Sequence, residues 1–226
     1  MSKIAVVAID GPSASGKSTV ASTVARAAGW VYVDSGSFYR GLTWKVLREG
    51  VNRADPAAVA ELIQRIAWEL NERDGQVRFL IDGEDPGQQV RSEPVREAVS
   101  AVAAMPVVRD FITARLRQTT DYGSLVMEGR DIGSVVFPAT PFKYYLDADP
   151  DERARRRLGE LVEVEPDENL QKVRDSLARR DTQDATRKAA PLQIPLGAQV
   201  IDSTALNAAQ VADLVLADLR RAGVLA

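Results

Sequence analysis

Residues 11–19 read Gly11-Pro12-Ser13-Ala14-Ser15-Gly16-Lys17-Ser18-Thr19, two glycines separated by four residues and followed by a lysine and two hydroxyls. Each residue type has a chemical use. The glycines let the backbone curl until successive N–H groups converge, and a helix starting there adds the positive end of its dipole. Lys17 supplies a mobile charge for the outer phosphates of a nucleotide, and the Ser18 hydroxyl is the expected Mg²⁺ ligand. The loop reads as a phosphate cradle for a nucleoside triphosphate.

Two further constellations follow apolar runs. In Asp34-Ser35-Gly36-Ser37-Phe38-Tyr39-Arg40, Asp34 or Ser35 can cap a helix, which places Tyr39 and Arg40 on its first turns, facing whatever binds beyond the strand ends. An acidic residue after a second strand also holds a ribose in dinucleotide-binding proteins, but the Gly-x-Gly-x-x-Gly spacing of that motif is absent here. In Met127-Glu128-Gly129-Arg130-Asp131, Glu128 is placed to hold Mg²⁺ directly or through water, with Arg130 and Asp131 near the substrate.

An arginine series, Arg153, Arg155, Arg156, Arg157, Arg174, Arg179, Arg180 and Arg187, completes the chemistry. On a helix Arg153, Arg156 and Arg157 share a face, as do Arg180, Asp184 and Arg187 if that helix continues. Arg155 and Arg174 read as solvated surface charge. The others suit phosphoryl transfer, in which planar guanidinium groups clamp negative charge in a closed, dry site. A phosphate acceptor is already anionic, so no general base is strictly needed.

The chain has neither cysteine nor histidine, which excludes disulfides, thiolate chemistry and a histidine base, and argues against structural zinc. A net charge of −3 gives no global attraction to nucleic acid, and no apolar run approaches the length that spans a bilayer. The short apolar run near the N-terminus leads into the phosphate loop and not into a cleavage site, so no signal peptide is expected. A soluble, cytoplasmic monomer without nucleic-acid or membrane partners is the expectation.

The elements that must position these residues alternate. β-branched apolar runs at 4–9, 30–33, 124–127, 142–146 and 199–201 are separated by segments of helical period at 17–28, 37–49, 56–70, 94–103, 106–118, 150–161, 167–180 and 207–222. That alternation predicts an α/β fold with three layers: a five-stranded parallel sheet between helices, with ligands at the C-terminal strand ends. A small antiparallel β insert is expected near 72–93, and a mobile, charged lid over 151–190 with an acidic linker at 162–168.

The motifs IDGPSASGKSTVA, DSGSFYRG, VSAVAAMPVVR, EGRDIGSVVFP, ERARRR, RRDTQDATRKAAPL and VIDST, in this order, resemble bacterial cytidylate kinases over nearly the whole chain. The resemblance implies one P-loop kinase unit over 1–226: a core of 1–35, 123–150 and 192–226, a monophosphate-binding region over 36–122 and the lid. It implies ATP as donor with Mg²⁺, and CMP and dCMP as substrates. Cytosine recognition carries over to Ser100, Arg109 and Asp131; Ser35, Arg180 and Asp184 fall near the nucleotide sugar and phosphate. Arg40, Arg130 and Arg187 become clamps on the acceptor phosphate, and Arg153 and Arg157 lie on the ATP side. The chain departs from the family's usual glycine at Ser18, aspartate at Glu128 and a frequent arginine at Ala185. The competing readings are a P-loop kinase for another monophosphate or small metabolite, and a nucleotide-binding switch protein.

Overall fold

The computed structural model describes residues 4–161, 169–187 and 189–225. Strand β1 (Val6–Asp10) runs into the phosphate loop and helix α1 (Lys17–Ala28), and β2 (Val31–Asp34) into α2 (Ser35–Arg48). There follow α3 (Pro56–Arg65), β3 (Trp68–Arg73), β4 (Gln76–Ile81), α4 (Glu93–Ala103), α5 (Pro106–Gln118) and β5 (Leu125–Gly129). The chain closes with β6 (Phe142–Asp147), α6 (Pro150–Leu161), α7 (Leu170–Thr186), β7 (Gln199–Asp202) and α8 (Ala208–Arg221).

The seven strands among the described residues form one sheet in the order β3-β4-β2-β5-β1-β6-β7. The five expected strands, β2-β5-β1-β6-β7, are parallel throughout. Alternation along each strand decides which layer a residue joins: Val7, Ile9 and Val126 pack with Val20, Val24, Val215 and Leu219 of α1 and α8, whereas Ala8, Leu125 and Met127 face Phe38, Leu42, Ile112 and Leu116 of α2 and α5. Among the described residues no helix is long and apolar enough to cross a membrane.

The β insert is a hairpin, Trp68↔Ile81 through Arg73↔Gln76, and it extends the main sheet through a parallel contact of Tyr32 with Gln76. Its two-residue turn, Asp74-Gly75, has both residues at positive φ (56° and 74°), as the twist of a tight hairpin requires. Residues 66–70, expected to continue a helix, are not helical. Ile66 turns extended (ψ 139°) and Trp68 stacks on Phe79, ring centroids 4.6 Å apart, so aromatic packing overrides local helix propensity. At the other end, α7 runs to Thr186, six residues past the expected boundary at 180. The expected acidic linker at 162–168 lies outside the described residues.

Candidate active site

The phosphate loop leaves β1 at Gly11 (φ 149°) and enters α1 at Gly16 (φ 90°), with Ala14 also left-handed at φ 61°. No side chain caps the start of α1, so its first N–H groups face the loop interior. Gly11 is required by space as well as by φ, because a Cβ there would stand 2.1 Å from the Leu146 carbonyl oxygen of β6. Gly11→Ala is expected to cost about 3 kcal/mol through this backbone collision. A urea midpoint equal to that of the unmodified chain would contradict it.

Lys17 is buried, and its Nζ donates to Pro12 O at 2.5 Å and to Ser15 Oγ at 3.4 Å. Burial, and then the nearby Arg130, push its ammonium down to about 7. A polyanion placed beside it would favour the charged form. The Ser18 hydroxyl donates to Glu128 Oε1 at 2.7 Å across 110 residues of sequence. Glu128 faces Asp34 across the β2–β5 register, and burial followed by the Asp34 charge raises its pKa. A hydroxyl and a carboxylate are hard oxygen donors, and they fit Mg²⁺ completed by water and phosphate oxygens. Among the described residues no three acidic groups gather into a metal cluster.

Opposite the loop the strand ends present a second set. Asp34 caps α2 through Ser37 N–H at 2.9 Å and accepts from Arg40 Nη2 at 2.7 Å. Ser35 Oγ donates to the Glu128 carbonyl at 2.7 Å. Arg109 and Asp131 form a buried ion pair, and the guanidinium lies 5.1 Å from the Tyr39 ring centre. Arg187 Nη2 stands 4.0 Å from Asp131, and its Nη1 stands 3.5 Å from Asp184. Arg130 joins both halves, with Nε 2.8 Å from Asp184 and Nη1 donating to Gly11 O at 3.1 Å.

This second set is rich in unspent donors. Tyr39 Oη, Arg40 Nε, Arg109 Nε, Arg180 Nε and Arg187 Nη2 are buried and have no hydrogen-bond partner among the described residues. Burial and the Arg130 charge lower Arg180 to about 10, and burial followed by Arg109 lowers Arg187. Burial, then Asp131, pushes Tyr39 up to about 12, so it stays a neutral phenol. Crowded cations with free N–H groups make a receptor for an anion carrying several acceptor oxygens.

Helices α6 and α7 fold over the loop. Arg153 pairs with Asp181 and donates to Ser13 O at 3.2 Å, tying both helices to the cradle. Arg156 donates to Ser203 O at 2.6 Å and Ser203 Oγ at 3.2 Å, beyond β7. Between them and the loop lies a cleft of about 470 Å³ lined by Gly16, Thr19, Arg156, Ser203, Thr204 and Leu206. Arg157 pairs with Glu160 of its own helix at 2.8 Å, and its charge reaches Arg180. Arg155 and Arg174 pair at the exposed surface with Glu152 and Asp151. Ser100 sits half-buried on α4, which packs against α2 and α7.

Residues 7–221 match the family model described as cytidylate kinase. The chain belongs to the cytidylate kinase family. It is 39% identical over 215 residues to a cytidylate kinase of Caldanaerobacter subterraneus subsp. tengcongensis, covering 95% of this chain and 94% of that one. It is 41% identical to one from Mycobacterium leprae, covering 91% of each chain, and 38% identical to one from Klebsiella pneumoniae, covering 94% of each.

In this cytidylate kinase family member the residues singled out from sequence fall into two facing groups. Gly11 to Thr19, Glu128 and Arg153 surround the loop, while Tyr39, Arg40, Arg109, Asp131, Asp184 and Arg187 converge beyond β2 and β5, and Arg130 bridges the groups. Among the described residues, Arg157 and Ser100 are not tied to either group by a hydrogen bond or ion pair. Arg156 belongs to the arginines that the sequence marks as anion clamps, whereas its cleft partners Ser203 and Thr204 carry no ligand assignment of their own in the sequence reading. The available signal was VIDST at the end of the last parallel strand, where α/β sheets bind ligands.

Proposed function

We propose that the chain catalyses transfer of the γ-phosphoryl group of ATP to CMP and dCMP, releasing ADP with CDP or dCDP. The observation that carries this reading is the buried Arg109–Asp131 pair set among unpartnered arginine donors, across Arg130 from the phosphate loop. Cytosine offers O2 and N3 as acceptors and an N4 amino donor, so a guanidinium beside a carboxylate complements it, whereas uracil brings an oxygen to the carboxylate.

In the reaction an oxygen of the monophosphate attacks the γ-phosphorus, the bond from that phosphorus to the β-bridging oxygen breaks, and ADP leaves. Lys17 and the loop N–H groups hold the donor phosphates, with the nucleoside in the cleft beside Arg156. Arg40, Arg130 and Arg187 hold the acceptor phosphate. Ser35, Arg180 and Asp184 line the sugar, and Ser100, Arg109, Asp131 and Tyr39 surround the base. Ser18 and Glu128 would hold Mg²⁺, which when bound neutralises charge shared between phosphates. The helices of 151–190, with Arg153 and Arg157, act as the lid; 36–122 is the acceptor-binding region; the remainder is the core. A monomer suffices, since one chain supplies both halves.

The test is ADP release from ATP with CMP, dCMP, UMP, AMP and GMP in turn. CMP and dCMP are expected to lead the panel. AMP or GMP outrunning them would overturn the base assignment.

A further inference from the structure

Arg130 and Asp131 sit on the turn after β5, and that turn is held by residues outside it. Ile132–Val136 form a single π-helical turn in which Phe137 N–H donates to Ile132 O at 2.7 Å, and Val135 and Val136 N–H both reach Asp131 O, at 2.9 and 3.2 Å. Such wide turns leave backbone groups without regular partners and gather at functional sites. Here two side chains take up the loose ends.

At the start of the turn the Ile132 and Gly133 N–H groups donate to the two carboxyl oxygens of Asp10, each at 2.7 Å. Asp10 ends β1, is fully buried, and lies immediately before the phosphate loop. At the end of the turn Arg117 on α5 donates from Nε to Val136 O and from Nη2 to Val135 O, both at 3.0 Å. Helix α5 also carries Arg109, so one rigid helix bears the base-facing arginine and grips the far side of the turn that bears its carboxylate partner. Burying a carboxyl is unfavourable, and burial pushes Asp10 up to about 6 against the pull of its two N–H bonds. The hydroxyl of a serine or threonine could not accept both N–H groups with two separate oxygens; a carboxylate can.

We propose that Asp10 is a positioning residue for base selection: through the Ile132 and Gly133 N–H groups it fixes Asp131, and with Arg117 it sets the spacing of the Arg109–Asp131 pair. The inference rests on the CMP-kinase reading above. Asp10 touches no substrate in this account and acts only through the turn.

Asp10→Asn keeps the size but turns one acceptor into an N–H₂ facing an N–H, and Arg117→Gln removes the grip at the exposed end. The measurement is kcat/KM for CMP and for UMP on the full chain, with thermal unfolding in parallel. Asp10→Asn is expected to lower the CMP-to-UMP ratio about tenfold, mostly through the KM for CMP, by the cost of a small misplacement. Arg117→Gln is expected to lower the same ratio less. A merely structural role would depress both substrates equally, and a ratio unchanged in both variants overturns the inference. Should Asp10→Asn fail to fold, Arg117→Gln decides alone. A parent chain that does not prefer CMP overturns the underlying reading together with this one, whereas a preference kept by both variants overturns this one only.

Discussion

Lys17→Ala is expected to lower kcat by about 10³-fold, roughly 4 kcal/mol of transition-state stabilisation, while CMP affinity changes only a few-fold. The ammonium is the one mobile cation rooted in the loop itself, and it is buried where a screening water layer is thin. Burial and Arg130 hold its pKa near 7, so its charge is drawn out most strongly when negative charge develops beside it. It also closes the loop onto Pro12 O at 2.5 Å, so loss of the side chain removes a loop contact as well as a charge. Separating the two effects requires kcat, CMP binding and unfolding temperature on the same preparation. A kcat within tenfold of the parent would remove Lys17 from the transition state.

Asp131→Asn carries the second large expectation: the CMP-to-UMP ratio of kcat/KM falls by about 10²-fold, since a matched polar contact discriminates by a few kcal/mol. The amide presents an N–H to the uracil oxygen that the carboxylate repels, so part of the change is a gain by UMP. Asp131 is also one half of a buried pair, and Asp131→Ala would leave the Arg109 guanidinium uncompensated at a cost of about 3–5 kcal/mol in stability. The asparagine variant is therefore the informative one for selectivity, with denaturant midpoints measured beside it. An unchanged ratio in a folded asparagine variant would overturn the base-reading role proposed for Asp131.

What could be read from the chain follows the range of the interactions. The strand alternation Val7, Ala8, Ile9 and the glycines at 11 and 16 are local signals, and the five parallel strands and the loop stand where those signals put them. Residues 66–70 carry helix-forming types, and pairing with β4 together with the stacking of Trp68 on Phe79 places Trp68 to Leu70 in a strand instead. The cleft beside Arg156 was illegible for the same reason, since its walls come from α6, the loop and the segment after β7.

By itself the sequence determined the phosphate cradle, because its parts are consecutive and a strand, two glycines and a helix start fix their geometry within a few residues. It also named arginines and carboxylates whose chemistry suits phosphoryl transfer. Only the tertiary structure decided which of them meet: Ser18 with Glu128, Arg130 with both Gly11 and Asp184, Arg109 with Asp131, and Asp10 with the turn that carries Asp131. Those partners lie 22 to 123 residues apart, a distance over which sequence spacing holds no angular information. The sheet brings them together by packing its two faces, since burial of Val7 and Ile9 on one side and of Leu125 and Met127 on the other leaves the C-terminal strand ends as the place where these polar groups converge.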